Sequence, residues 1–212
     1  MIVVIVGSGP VEELPDFNAW PDAAFIGVDA GTLVLLGLGI APKAAVGDFD
    51  SVTKEQLEEI AFKLPDFKKA EVEKDETDTE LALAKALEFS PQQVIIAGVT
   101  GGRLDHYLSA LHAMYVAHLN HPEIRFAIIN KQNRIRFFAP GEHVVERDKA
   151  YRFMSFYPFS KEVEGFTLRN FKYPVEDETI PFGSTRFVSN ELEGEGTISF
   201  KSGHCMMIES KD

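Results

Sequence analysis

The sequence predicts an α/β protein in two parts. A Rossmann-like α/β domain with a parallel sheet covers residues 1–135, and a small C-terminal antiparallel β-sandwich covers residues 136–212. Three observations predict this. Short apolar, β-branched runs alternate with helical patterns as far as about residue 130, the order expected of a parallel sheet with helices on its faces. Beyond Asn130 the helical periodicity gives way to short alternating runs separated by turn residues, as in sandwiches. Polar, glycine-punctuated segments follow strand after strand in the first part, at the edge where open parallel sheets bind ligands.

Ile2 to Val6 is a run of five β-branched residues stopped by Gly7 and Gly9-Pro10. An unbroken apolar run suits a central strand buried on both faces. Gly7-Ser8-Gly9 is only a weak signal for a phosphate cradle, because it is no dinucleotide fingerprint. Residues 25–28 are a second strand, followed by Asp29-Ala30-Gly31 and a helix over 32–36 that Gly37 and Gly39 stop. Residues 44–46 form a third strand. The helix over 54–62 turns Leu57, Ile60 and Ala61 inward and Glu55, Glu58 and Glu59 outward. Thr53 with Gln56, and Thr77 with Glu80, are capping-box pairs that open this helix and the next, which runs to about Phe89 before Pro91. Residues 70–72 read as a fourth strand and 94–97 as a fifth. A long helix over 104–119 carries Leu108, Leu111 and Tyr115 along one face, and residues 125–129 are a sixth strand. The second part reads as strands over 135–138, 143–145, 151–157, 165–168, 185–189, 197–200 and 204–209, with turns at Pro140-Gly141, Gly194-Glu195-Gly196 and Ser202-Gly203.

Composition narrows the function. A net charge of -12 argues against a nucleic-acid or anionic membrane surface, which needs a basic footprint. The one cysteine, Cys205, excludes an internal disulfide and a cysteine-rich zinc site; it lies in an apolar run and reads as a small buried hydrophobe. Met1 to Val6 has no basic flank and is too short for a signal core, and no apolar run approaches a membrane span. The expected setting is reducing and cytoplasmic.

Chemistry concentrates in a few stretches. In Gly47-Asp48-Phe49-Asp50-Ser51, extended chain would turn Asp48 and Asp50 to one side and Phe49 into the fold. Two like charges held together favour a bound cation, and oxygen ligands alone suit Mg²⁺. Asp50 and Ser51 equally suit a turn or a cap. Asp78 and Glu80 suit the first turn of a helix, whereas Lys74 and Asp75 precede it. In the stretch from Gly98 to His106, a glycine-rich loop opens a helix, so that backbone N–H groups and the Arg103 fork can receive an anion. His106 fits a structural role as well as a catalytic one. No histidine spacing suggests zinc.

Together, Asp29-Ala30-Gly31, Gly47-Asp48-Phe49-Asp50-Ser51, Lys74-Asp75-Glu76-Thr77-Asp78, Thr100-Gly101-Gly102-Arg103-Leu104-Asp105-His106 and Ser189-Asn190-Glu191 resemble thiamine pyrophosphokinases of the bacterial type, across most of the chain. The resemblance implies an N-terminal ATP domain, a C-terminal sandwich that helps hold thiamine, and a homodimer with the thiamine site at the subunit interface. It implies transfer of the pyrophosphoryl group of ATP to the hydroxyl of thiamine, giving thiamine diphosphate and AMP, with Mg²⁺. By resemblance Asp48, Asp50 and Asp78 hold Mg²⁺, and Lys74 and Arg103 meet phosphates. Asp29, Gly31, Thr100, Gly101 and Gly102 line the nucleotide, while Asp105, Ser189 and Asn190 face thiamine. There is no Walker A sequence. Two positions depart from the family's usual pattern. Ala30 stands where glycine is usual, which is comfortable only at negative φ, and Lys43 stands where an acid is frequent.

Three other classes share parts of this pattern. A nucleotide-sugar glycosyltransferase explains Asp48 and Asp50 but not the 101–105 loop. A pyrophosphokinase acting on a pterin alcohol keeps the first domain and differs in the second. A nucleotide-binding sensor needs the glycines but not three convergent aspartates.

Overall fold

The computed structural model describes residues 1–50, 52–64 and 76–212. Ser51, the strand expected over 70–72, Lys74 and Asp75 lie outside the described residues. The chain forms two compact units, residues 1–131 and 132–212.

In the first unit β1 (Ile2–Val6), β2 (Ala24–Val28), β3 (Ala44–Val46), β4 (Gln93–Ala97) and β5 (Arg125–Ile129) pair in parallel, in the spatial order β3-β2-β1-β4-β5. The central place of β1 follows from its composition: Val3 to Val6 are all buried, as a strand covered on both faces requires. Strand order reverses between β1 and β4, so a crevice opens at their carboxyl ends.

The helices are α1 (Gly31–Gly37), α2 (Lys54–Lys63), α3 (Asp78–Leu87) and α4 (Leu104–Asn120). Both expected capping boxes form: Thr53 with Gln56 opens α2, and Thr77 with Glu80 opens α3. Helix α4 buries Ala110, Leu111, Ala113, Met114 and Ala117, so its inner stripe runs through small residues that allow close packing. Leu108, expected along one face with Leu111 and Tyr115, is half exposed, and on α2 only Ile60 is fully buried while Ala61 is exposed. Between β1 and β2 the chain makes two short 3-10 turns, Val11–Glu13 and Phe17–Ala19, that the periodicity did not reveal. Phe17 anchors the second by packing edge-on against Phe25, with ring centroids 5.5 Å apart.

Glycines set the closeness of the loops at the crevice. The Gly7 N–H donates to the Ala97 carbonyl at 2.8 Å, and the Gly9 N–H to the Gly98 carbonyl at 2.7 Å. A Cβ on either residue would lie 2.7 Å from the Gly98 oxygen. These two amides are thus spent joining two loops and do not cradle an anion. At Gly31 a Cβ would lie 2.1 Å from the Val6 carbonyl oxygen. Gly31→Ala is therefore expected to destabilise the protein by about 1–3 kcal/mol, read as a lower urea midpoint, because the backbone of β1 must give way.

The second unit contains β6 (Asn133–Phe138), β7 (Gly141–Val145), β8 (Phe153–Pro158), β9 (Glu162–Phe171), β10 (Val175–Pro181), β11 (Asn190–Phe200) and β12 (Cys205–Ser210), all paired antiparallel. One sheet joins β6, β12, β8 and the start of β11; the other joins β10, β9, the rest of β11 and β7. Strand β11 serves both by breaking register between Leu192 and Thr197, around Gly194 at φ 104°. The Gly194-Glu195-Gly196 stretch, expected as a turn, is this bulge inside a continuing strand. Residues 185–189, expected as a strand, are turn and bend. The partner strand is instead the polar β10, which exposes its acids and closes on Pro181, as an edge strand tolerates. Met154, Phe156, Cys205 and Met207 of one sheet share a core with Phe166, Leu168, Ile198 and Phe200 of the other. Burial pushes the Cys205 thiol up to about 12.

At one end of this sheet surface sits a buried carboxylate, Glu209. Arg134 forks onto it through Nε and Nη2, both at 2.5 Å, and Arg136 approaches through Nε at 3.1 Å. Arg134 also donates to Asp148 at 3.0 Å and lies over the Tyr151 ring at 4.8 Å.

Candidate active site

Strand β2 delivers Asp29 at its carboxyl end, with φ 47°. The Asp29 N–H donates to the Val46 carbonyl at 2.9 Å, and its own carbonyl accepts from the Thr32 N–H at 3.0 Å. Ala30 follows at φ −60°, in the right-handed helical region, so alanine fits without strain.

Strand β3 delivers the aspartate pair, but not in extended chain. Phe49 has φ 52°, and the Asp50 N–H donates back to Asp48 Oδ1 at 3.0 Å, an Asx turn. Phe49 still enters the core, at 2 % exposure, which fixes the turn from beneath. Asp48 is half-buried and Asp50 exposed. The Phe49 N–H donates to Asp29 Oδ1 at 3.1 Å. Asp78 arrives from a third direction, as the first residue of α3.

Electrostatics tie these residues together. The Asp29 carboxyl is raised to about 6, first by burial and then by the charges of Asp78, Asp48 and Asp50, against the lowering hydrogen bond from Phe49. Four carboxylates thus share one field at the carboxyl edge of the sheet. Among the described residues no three His, Cys, Asp or Glu side chains close into a ready-made metal cage. Mg²⁺ does not require one, since it keeps waters and shares phosphate oxygens while resting on one or two carboxylates. Hard oxygen donors with surplus negative charge fit that ion.

This field has a pH signature. Unfolded, Asp29 ionises near its ordinary 3.8; folded, near 6. The folded state therefore binds the extra proton between those values, and stability falls as pH rises through this window. Metal-free Asp29→Asn is expected to melt above wild type at pH 7.5 and level with it at pH 3.5, checked by thermal scans with a chelator present.

The loop after β4 completes this edge. Asn130, at the end of β5, donates through Nδ2 to Thr100 Oγ1 at 2.9 Å. The sequence reading missed Asn130, although its place just past a strand is the signal that singled out the other loops. Gly101, at φ 81°, turns the chain beside Glu13 and Pro10, and Gly102 and Arg103 are exposed. Arg103 forks onto Asp105 through Nε at 3.1 Å and Nη2 at 2.6 Å. That guanidinium holds the Asp105 carboxyl down at about 2. The two residues expected to meet different substrates are thus paired with each other at the start of α4. The His106 N–H also donates to Asp105, at 3.1 Å.

In the second unit Ser189 is exposed at φ 58°, and its N–H donates to Ser155 Oγ at 3.0 Å. Asn190 is buried. Its Oδ1 accepts the Tyr173 N–H at 3.0 Å and its Nδ2 donates to the Tyr173 carbonyl at 2.9 Å. The Asn190 amide therefore holds the backbone of an exposed aromatic residue, whose ring lies 5.6 Å from Lys172 Nζ. Lys172 and Arg152 both bind Glu191, at 2.7 and 3.2 Å. Tyr173 was not singled out from sequence. Lys74 lies outside the described residues.

Comparison with known proteins bears on both units. Residues 18–126 match the family model described as thiamin pyrophosphokinase, catalytic domain, and residues 142–205 match thiamin pyrophosphokinase, vitamin B1 binding domain. The chain is 43 % identical over 211 residues to the thiamine pyrophosphokinase of Bacillus subtilis strain 168, covering 98 % of each. The fold matches a crystal structure of thiamine pyrophosphokinase from Bacillus subtilis with a TM-score of 0.93, at 42 % identity and full coverage of both chains. It also matches thiamin pyrophosphokinase from Geobacillus thermodenitrificans with a TM-score of 0.90, at 40 % identity over all of this chain and 98 % of that one.

Proposed function

Because this chain belongs to the thiamine pyrophosphokinase family, we propose that the carboxyl edge of its parallel sheet is the ATP and Mg²⁺ site. The enzyme transfers the pyrophosphoryl group of ATP to the hydroxyl of thiamine, giving thiamine diphosphate and AMP. The hydroxyl oxygen bonds to the β-phosphorus, the bond from that phosphorus to the α,β-bridging oxygen breaks, AMP leaves, and the hydroxyl proton passes to solvent.

The observation that supports this placing is the common field of Asp29, Asp48, Asp50 and Asp78. Asp48, Asp50 and Asp78 are the residues to hold Mg²⁺, which when bound offsets phosphate charge. Gly31 and the Thr100-Gly101-Gly102 loop face the nucleotide. Lys74 and Arg103 meet phosphate oxygens, and Arg103 leaves Asp105 to do so. Asp105, once released, faces the cationic thiazolium. Ser189 and Asn190 serve thiamine from the sandwich, Asn190 by presenting Tyr173, whose ring face suits a fixed cation. We assign no general base: positioning and charge neutralisation supply the rate in a loose phosphoryl transition state. The protein is a homodimer, with thiamine held between subunits, and works in the cytoplasm. Among the described residues no helix is long and apolar enough to cross a membrane.

Purified protein incubated with ATP, Mg²⁺ and thiamine, then resolved by chromatography, tests the reading. The expected result is thiamine-dependent AMP with an equal amount of thiamine diphosphate. ADP would mark a simple kinase, and no AMP would turn the search to pterin alcohols and nucleotide sugars. Light scattering after gel filtration tests the dimer.

A further inference from the structure

We propose that Asp29 is a positioning residue, which sets the Asp48–Asp50 turn through a hydrogen bond to its central residue, rather than a group that contacts the nucleotide. The inference rests on the reading of Asp48 and Asp50 as metal ligands.

The contact is built from both sides. Asp29 Oδ1 accepts the N–H of Phe49, the residue between the two aspartates, at 3.1 Å. A Cβ on Gly47, the residue before the turn, would lie 1.9 Å from the same Oδ1 and 2.7 Å from the carboxyl carbon. Glycine at 47 therefore makes room for this carboxylate in addition to supplying φ 136°. The Asp29 N–H is meanwhile tied to Val46, so the main chain and side chain of one residue grip the β3 end on both sides of Gly47.

The grip sets conformation as well as place. Phe49 stands at φ 52°, in the left-handed region that a bulky residue rarely adopts, and needs surrounding structure to hold it there. Its buried ring holds one end, and Asp29 holds its amide. Were the turn to relax, the Asx bond from Asp50 to Asp48 would open and the two carboxylates would lose the relative placing that the turn gives them. Charge is not what the contact needs. The Phe49 N–H needs an acceptor oxygen, and the half-buried Asp29 carboxyl supplies one. A carboxyl group does present an acceptor oxygen in either flip, which an amide does not. This is the arrangement in which an outer group orients metal ligands, and its loss characteristically weakens metal affinity by about 10-fold to 100-fold.

Mn²⁺ uptake by the full-length protein, followed by electron paramagnetic resonance with α,β-methylene ATP present, separates position from charge. Asp29→Asn keeps an acceptor and removes the charge; Asp29→Ala removes both. Gly47→Ala keeps all four carboxylates, places a methyl against the Asp29 carboxylate and strains the backbone at φ 136°. The expected result is near wild-type Mn²⁺ affinity for Asp29→Asn, and affinity lower by about tenfold or more for Asp29→Ala and Gly47→Ala. Circular dichroism checks that each variant is folded, and Asp29→Asn against Gly47→Ala suffices where Asp29→Ala does not fold. Equal losses in Asp29→Asn and Asp29→Ala would show that charge is what matters and overturn the inference. So would wild-type affinity in Gly47→Ala. Wild-type protein that takes up no Mn²⁺ would instead remove the metal reading on which the inference stands.

Discussion

Asp48→Asn is expected to reduce turnover by about 10²-fold to 10³-fold or more, the scale on which single electrostatic contributors to a transition state act, while the protein remains folded. The substitution is nearly isosteric. Asparagine retains the Oδ1 acceptor for the Asp50 N–H, so the Asx turn survives, and the half-buried site loses a charge that its neighbours repel. Only the charge offered to the metal is gone. The measurement is the rate of AMP release at saturating ATP, thiamine and Mg²⁺, with a thermal scan beside it. A variant running near the wild-type rate under those conditions would remove Asp48 from the site.

The largest effect on stability is expected at the far end of the chain. Glu209→Ala leaves Arg134 and Arg136 together on one sheet surface without the carboxylate that both bind. Asp148 reaches Arg134 alone. Breaking a buried ion pair by deleting one partner costs about 3–5 kcal/mol, because the surviving charge stays desolvated. A drop of this size in the free energy of urea unfolding is expected. The control is the set Arg134→Met, Arg136→Met and Glu209→Leu made together, which removes every charge of the triad and is expected to fall far less than the single variant. Similar losses in both would mean that packing, not uncompensated charge, carries the effect.

The sequence was legible where the cause is local. The capping boxes at Thr53 and Thr77 need only a residue and its third neighbour, and both form as read. The buried β1 follows from five β-branched residues in a row. The inward Phe49 came out right for a different reason: a left-handed residue turns its side chain under an Asx turn, whereas the expectation assumed simple alternation. Residues 185–189 alternate like a strand but make turn and bend, and they meet β8 through the Phe156 N–H, which donates to the Phe187 carbonyl at 2.8 Å, and through the Ser189 N–H, which donates to Ser155 Oγ. Polar β10 escaped notice because an edge strand needs little apolar surface. Least legible were the distant partners. Asn130 reaches Thr100 across 30 residues, Asn190 reaches Tyr173 across 17, and Glu209 reaches Arg134 across 75. In the site, that the charges of Asp48, Asp50 and Asp78 act on Asp29 agrees with their places after strands and at a helix start. The Arg103–Asp105 fork was not, since opposite charges two residues apart do not say whether they meet each other or a ligand.

Cys205 carries a practical consequence. As the chain's one thiol, in the core of the sandwich and held protonated, it is closed to alkylating reagents while the second unit stays folded. Iodoacetamide labelling under native conditions therefore reports on opening of the sandwich, since an adduct forms only while it is open. Quenched at intervals and weighed by mass spectrometry, the protein reports the population of the open sandwich when reclosing outruns alkylation, with no residue changed.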